Sequence, residues 1–293
     1  MKNIPIEHFQ VKDQVSLNQI PTALDQKLTK KEKKSILNDY RELLSEHQDT
    51  MYAHAKYGVL ICLQGMDTAG KDSLIREVFK ELNARGVVVH SFKTPTSLEL
   101  KHDYLWRHYL ALPARGKYSV FNRTHYENVL VTRVHPYYIM NENIPGIESV
   151  EDITEEFWQK RFEQIRNFEQ HIAENGTVIF KFYLHLSKEE QRQRLLRRLD
   201  KKKHNWKFSP GDLEERALWD KYQKCYEEAI NETSKPHAPW YIIPSDDKKI
   251  ARLLVAKIIY ETMSKIEGIK EPELDEEVLE DIEKYRDILS KEH

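Results

Sequence analysis

Apolar positions along this chain change their period several times, and the changes mark out its elements. Residues 1–28 carry little periodicity and read as an arm over the surface. Thr29 followed by Glu32 has the form of a capping box, a hydroxyl and a carboxylate three residues apart at a helix start. Ile36, Tyr40, Leu43 and Leu44 then recur at helical spacing, which predicts an amphipathic helix to about Lys56. The rhythm breaks at Val59-Leu60-Ile61-Cys62-Leu63, an unbroken apolar run of strand length, as expected for a strand buried on both faces.

The same reading predicts a helix from Gly70 to about Leu82, a second strand from Val87, and a helix over Asp103–Leu112 closed by Pro113 and Gly116. A third strand follows over Tyr118–Phe121, then a helix over Tyr126–Val134 and a loop with Pro136, Pro145 and Gly146. A long helix spans about Thr154–Glu174, and Val178–Leu184 is the fourth strand. Ser187 and Glu190 repeat the capping-box spacing before a densely basic helix, and Ser209-Pro210-Gly211-Asp212 starts another with Pro in the first turn. Trp240–Ile243 is a fifth strand, Asp246 to about Ile266 a last core helix, and the acidic tail from Glu271 a helical packing or dimerisation arm. Alternating strands and helices predict an α/β fold, with a mainly parallel five-stranded sheet covered on both faces. One domain over 1–293 is expected: an arm and helix over 1–56, a core over 57–266 with a lid at about 188–212, and the acidic helix over 267–293.

Composition sets limits without naming a partner. The 293 residues are 40% apolar, enough for a sizeable core, and the net charge is −2. Cys62 in an apolar strand and Cys225 on a helix have neither metal-site nor disulfide spacing, and are expected as reduced, mostly buried thiols. The first residues lack the apolar core of a signal peptide, and no apolar stretch approaches the ~20 residues of a membrane helix. A soluble, cytoplasmic protein is expected.

Chemistry enters at Gly65-Met66-Asp67-Thr68-Ala69-Gly70-Lys71-Asp72-Ser73. Gly-x4-Gly-Lys arises by chance in a chain of this length roughly one time in ten. A buried strand before it and a helix after it remove most of that ambiguity. The glycines let the backbone curl around an anion, amide groups and the helix N-terminus point at phosphates, and Lys71 supplies a mobile charge. Two departures stand out. The hydroxyl that usually follows the lysine and binds Mg²⁺ is replaced by Asp72, which reads as structural and is favoured by the helix dipole. Asp67 places an acid among phosphates, where it is repelled unless a cation lies between. It is a candidate magnesium ligand or base for the accepting phosphate, against the plainer reading of a solvent-facing turn residue.

Asn122-Arg123-Thr124-His125-Tyr126-Glu127 follows the third strand. Carboxyl ends of parallel strands form the ligand crevice, so Asn122, Arg123 and Glu127 are expected to open onto the P-loop. Asn122 stands where an acid would be usual for magnesium. Arg123 can fork onto a phosphate. Polar residues at strand ends are also common without any function. Between Arg192 and Lys207 lie eight basic residues, of which Arg194, Arg197, Arg198 and Lys201 share one helix face. Clustered like charges repel, and a polyanion would relieve the cost. The stretch reads as a lid over phosphates or as a solvated basic face. A nucleic-acid backbone would also suit it, but no recognised nucleic-acid motif is present.

Five blocks in order carry a resemblance: the P-loop through Asp72; His102-Asp103-Tyr104-Leu105-Trp106-Arg107; Phe121 through Glu127; Asn205-Trp206-Lys207-Phe208-Ser209; and Ala238-Pro239-Trp240-Tyr241. Over roughly Lys27 to Ile266 the chain resembles the polyphosphate kinase 2 family, and Asn122 through Glu127 resembles its class III branch. The resemblance implies a three-layer α/β/α P-loop kinase core with a helical lid, a dimer or tetramer, and Mg²⁺ as cofactor. It implies reversible transfer of the terminal phosphate of inorganic polyphosphate to AMP and ADP, with GMP and GDP as further acceptors to consider. Asp67, Lys71 and Arg123 match the family's catalytic positions, with Asp67 toward the metal. Arg107 and Arg133 look like arginines near the phosphates. Arg194 and Arg198, with Lys207 in the same stretch, match the lid. Asn122 and Glu127 fall on the nucleotide side. Neither a nucleic acid nor a membrane is expected as partner. Two rivals stay open: an ATP-dependent nucleoside or nucleotide kinase, and a non-catalytic polyanion-binding protein.

Overall fold

In a computed structural model, residues 4–205 and 209–292 are described; Trp206, Lys207 and Phe208 fall outside them. The strands are β1 (Gly58–Gln64), β2 (Val87–Ser91), β3 (Tyr118–Asn122), β4 (Thr177–His185) and β5 (Trp240–Pro244). They form one parallel sheet in the order β2-β3-β1-β4-β5. The helices are α1 (Lys30–His54), α2 (Lys71–Val78), α3 (Trp106–Tyr109), α4 (Val131–Val134), α5 (Glu155–Glu174), α6 (Lys188–Asp200), α7 (Lys202–Asn205), α8 (Gly211–Ala217), α9 (Trp219–Thr233), α10 (Lys248–Met263) and α11 (Glu276–Ser290).

All of β1 is buried, because helices cover both faces of the sheet. On one face Leu44 of α1, Leu74 of α2 and Leu254 of α10 pack with Ile61. On the other, Phe162 of α5 and Ile230 of α9 pack with Tyr183 and Trp240. The N-terminal arm borders β5 antiparallel: Val11 N donates to Trp240 O at 2.8 Å and Ile242 N to Phe9 O at 2.9 Å. This covers an edge that would otherwise offer unpaired backbone groups. Register brings the loops together, since Leu63 pairs with Asn122 and Gln64 with Tyr183. The P-loop and the Asn122 loop therefore leave the sheet side by side.

Three expected helices are shorter or tighter than their periodicity suggests. α2 ends at Val78 rather than near Leu82, because buried Gln48 takes both backbone groups of Asn83 and fixes the turn there. Over 103–112 only α3 is α-helical; i→i−3 bonds at His108, Ala111 and Leu112 tighten the turns while buried His108 packs on Phe92. Over 126–134 the Thr124 hydroxyl accepts from Tyr126 N and starts a 3-10 turn at His125–Val129, with α4 after it. Thr29 and Glu32 do form the reciprocal capping box. Ser187 accepts from Glu190 N, but the Glu190 carboxylate turns to Arg194 instead.

A charged network lies in the core behind the Asn122 loop. Lys181 of β4 donates to Glu169 Oε2 at 2.6 Å, to the Tyr126 hydroxyl at 2.9 Å and to Thr233 O at 2.8 Å. Tyr126 donates to Glu169 Oε1 at 2.7 Å, and His125 Nε2 lies 3.1 Å from the same oxygen. Burial pushes the Lys181 ammonium down, and Glu169 pulls it back. Burial would raise the Glu169 carboxyl, yet Lys181 and His125 hold it below its usual range. The pair ties α5 and β4 to the two residues that follow Thr124. Lys181→Met leaves the Glu169 carboxylate buried without its cation, an expected loss of about 3–5 kcal/mol. Urea unfolding measures it, and a loss below about 1 kcal/mol would show that the pair is not anchoring this loop.

Candidate functional site

The P-loop links β1 to α2 through backbone that few residues adopt. Gly65 has φ of +152°, and a Cβ there would sit 3.0 Å from Leu184 O; Gly70 has φ of +109°. Thr68 (φ 66°) and Arg123 (φ 59°) are two of the four non-glycine residues in the left-handed region among the described residues, and both line one groove. Such conformations cost about 1–3 kcal/mol each and persist where surroundings over-determine them. The first N–H groups of α2 have no intrahelical acceptor and point toward the loop's concave side. Lys71 curls inside it, Nζ donating to Gly65 O at 2.5 Å. Burial pushes the Lys71 ammonium down, while Asp67 and Glu127 pull it up.

Two cavities meet at this loop. One, of about 310 Å³, has aromatic walls from Phe92, Tyr138, Tyr222 and Tyr226, with Arg107, Glu127, Asn128 and Thr132 among its polar groups. The other, of about 840 Å³, is an open groove lined by Lys71, Arg76, Lys93, Arg123, Arg194, Arg197, Arg198, Lys248 and Arg252 against Asp67, Asp72 and Asp212. Asp67, Lys71, Lys93, Thr94 and Arg123 line both. Asp67 is 38% exposed and Arg123 50%, their side chains 4.0 Å apart at the junction.

The remaining expected residues divide between these spaces. Gly65 and Met66 line the aromatic cavity, and Thr68, Gly70, Asp72 and Ser73 line the groove. Ala69 is buried behind the loop. Glu127 lies in the aromatic cavity, where Gln64 Nε2 holds it at 3.0 Å. Asn122, expected on the nucleotide side, lies in the groove instead, because its Nδ2 donates to Asp72 Oδ1 at 2.7 Å and ties the two loops together. Arg107 donates to Lys93 O at 2.8 Å, stacks on Phe92 and faces the aromatic cavity rather than the groove.

One arginine does not stand where the resemblance put it, and another lines the expected groove in a different role. Arg133 lines neither cavity: it pairs with Glu228 at 2.6 Å and Glu155 at 3.3 Å, over the Trp158 and Phe162 rings. Arg194 is 6% exposed and acts as a strut beneath the P-loop rather than a mobile lid group. Its Nη1 donates to Thr68 O and Ala69 O, its Nη2 to Ser245 O and Asp246 O, and its Nε to Glu190. Arg198 does face the groove and is braced by Asp212 at 2.9 Å. Lys207 lies outside the described residues.

Several groups escaped the sequence reading. Lys93 and Thr94 follow β2 by two and three residues, and the rule of strand carboxyl ends, applied to this strand as well, would have found them. Lys248 and Arg252 are one turn apart at the start of α10, directly after β5. A latch over the aromatic cavity had no sequence signal: Glu215 of α8 lies 3.0 Å from His135 Nε2 and accepts from the Tyr222 hydroxyl at 2.5 Å.

A divalent metal fits the donor set. Mg²⁺ in phosphoryl-transfer sites takes one or two carboxylates and fills its other positions with water and phosphate oxygens. Asp67 stands half exposed where the cavities meet, and Asn122 Oδ1 is buried without a hydrogen-bond partner. Among the described residues, no group of three or more His, Cys, Asp or Glu could hold a metal by itself.

A phosphate loop heading the central strand of a parallel sheet, opposite an arginine loop and a cation-lined groove, defines a P-loop phosphotransferase. The family model for polyphosphate kinase 2 (PPK2) matches residues 27–271. The chain is 47% identical to ADP-polyphosphate phosphotransferase of Rhodopseudomonas palustris over 255 residues, 87% of either chain. It is 47% identical to AMP/ADP-polyphosphate phosphotransferase of Meiothermus ruber over 220 residues, 75% of this chain and 77% of that one. The crystal structure of polyphosphate kinase 2 from Arthrobacter aurescens TC1 superposes with a TM-score of 0.87 at 32% identity, covering 98% of this chain and 96% of that one. The chain belongs to the polyphosphate kinase 2 family.

Two outcomes follow from this geometry. Arg194→Ala strands carbonyls of the P-loop and of the turn after β5, an expected loss of at least about 2 kcal/mol. Arg197→Ala, in the same groove, should leave urea unfolding nearly unchanged; equal losses would deny Arg194 its strut role. Burial, with Arg194, Arg252 and Arg197 nearby, pushes the Lys248 ammonium down to about 8. A bound polyanion favours its charged form, so binding takes up a proton. Polyphosphate affinity is therefore full below that pH and falls as pH rises through about 8. Calorimetry in buffers of different ionisation enthalpy should show this uptake, and Lys248→Met should reduce it.

Proposed function

We propose that the protein transfers the terminal phosphate of inorganic polyphosphate to AMP and to ADP, reversibly, forming ADP and ATP. One observation carries this reading. An aromatic cavity of nucleoside size and an open cationic groove meet at a single junction of Asp67, Lys71 and Arg123. A nucleotide has a flat apolar base and a short anionic end, which suits the first space. A polyphosphate has only repeated charge, which suits the second. One triphosphate does not call for nine surrounding cations.

The chemistry is an in-line exchange. An oxygen of the acceptor's last phosphate forms a bond to the terminal phosphorus of the chain. The P–O bond to the next phosphate breaks, and its electron pair leaves with the shortened polyphosphate. Positioning and charge neutralisation dominate such reactions. Lys71 and the loop amides hold the phosphate in flight, and Arg123, placed between the cavities, balances charge on its oxygens. Asp67 orients the acceptor and, with Asn122 Oδ1 of the same groove, would hold Mg²⁺. When bound, that ion supplies charge neutralisation between adjacent phosphates. Among the described residues no helix is long and apolar enough to cross a membrane, and a cytoplasmic setting belongs to this reading.

Incubation of the purified protein with long-chain polyphosphate, Mg²⁺ and AMP should yield ADP and then ATP, followed by anion-exchange chromatography. EDTA should stop the reaction, and Lys71→Ala should slow it about 10²- to 10³-fold. No product from AMP or ADP at any chain length would refute the proposal. Product from ADP alone would refute the AMP part. Turnover with ATP as donor and no polyphosphate requirement would favour an ordinary nucleotide kinase.

A further inference from the structure

Helix α11 is the one helix of more than ten residues, among the described residues, in which nothing is buried. It is nonetheless amphipathic. Val278, Ile282, Tyr285 and Leu289 recur at spacings of four, three and four, and Leu279 and Ile288 flank them. All six are 39–64% exposed. That spacing is the seam of a two-helix coiled coil. Single exposed apolar residues are ordinary, but a continuous stripe along one face is the mark of an interaction surface.

Charge along the helix selects the occupant. Residues 276–283 contain Glu276, Glu277, Glu280, Asp281 and Glu283 and no cation. Residues 284–291 contain Lys284, Arg286 and Lys291 against Asp287. A second copy laid antiparallel sets the acidic half of each helix beside the basic half of the other, and it opposes the two helix dipoles. A parallel copy stacks acid on acid. The acid-rich polar face also disfavours an anionic membrane surface, which attracts Lys/Arg-rich helices. The stripe is self-complementary in the same orientation: a twofold axis between Glu283 and Lys284 sets Ile282 against Tyr285, and Val278 against Leu289.

We propose that α11 pairs antiparallel with α11 of a second copy of this chain, through Val278, Ile282, Tyr285 and Leu289. The charges on its own surface pair within the helix, Arg286 with Glu283 at 2.6 Å and Lys291 with Asp287 at 2.5 Å. Exposed pairs of that kind contribute little, so they are free to exchange partners across the interface.

Light scattering on the full chain after size exclusion should give at least twice the 34.9 kDa of one chain. Ile282→Asp should halve that mass while the melting of the core, followed by circular dichroism, stays unchanged, since α11 contributes no buried residue. Orientation is read by oxidising added cysteines; the native Cys62 and Cys225 are buried. Val278→Cys mixed with Leu289→Cys should cross-link. Val278→Cys alone should not, because an antiparallel pair holds the two positions about 16 Å apart. A monomeric wild-type chain, an Ile282→Asp variant of unchanged mass, or self-cross-linking of Val278→Cys would each overturn the proposal. Docking of α11 on its own body or on a different protein would be read as the first of these.

Discussion

One guanidinium fixes the shape on which the site depends. Arg194 spends its donors on two P-loop carbonyls, two carbonyls after β5 and the Glu190 carboxylate. A loop whose amides must converge on an anion turns its carbonyls outward, and those carbonyls need donors in a place that water reaches poorly. Arg194 supplies them from the first helix of the basic stretch. The planar fork suits several carbonyls at once, as an ammonium would not. The P-loop, the β5 turn and α6 are thereby held as one piece.

With the loop fixed, the remaining cations can crowd around it. Nine, Arg194 included, line the groove against three acids, and repulsion from Arg194, Arg252 and Arg197 adds to the burial that pushes the Lys248 ammonium down. A polyanion removes that cost on binding. The aromatic cavity is different in kind: its acids and amides, Glu127 and Asn128 among them, offer specific hydrogen bonds rather than bulk charge. The division between the two is enforced by Asp67 and Arg123, which stand in both. Behind them the Lys181–Glu169 pair anchors His125 and Tyr126, so the second loop is also built on a rigid base. Preorganised charge of this sort costs nothing further when the phosphate moves.

Much of this was legible in the residues. The apolar run before Gly65 and the spacing of Gly70 and Lys71 placed the P-loop, because both follow from short-range backbone geometry. The strand order did not follow, since register is decided by packing between distant segments. Lys181 shows the limit clearly. An apolar strand with one lysine at its centre reads as a strand, but its partners come from α5, the Tyr126 loop and the end of α9, and only the fold assembles them. The basic stretch misled for a related reason. Arg194, Arg197 and Arg198 look alike in sequence and all line the groove, yet Arg194 is a buried strut whose donors are spent largely on backbone carbonyls, while Arg198 is braced by Asp212. Arg133 was drawn to the phosphates by resemblance, and acidic neighbours on α5 and α9 hold it elsewhere.

The central claim is that donor and acceptor occupy separate cavities joined at Asp67, Lys71 and Arg123. Steady-state KM values for polyphosphate and for AMP, measured on Arg252→Ala and on Tyr138→Ala, test it most directly. Arg252 lines only the groove and Tyr138 only the aromatic cavity. Arg252→Ala should raise KM for polyphosphate several-fold with little change for AMP, and Tyr138→Ala should do the reverse. Parallel changes in both constants, or the crossed pattern inverted, would contradict it.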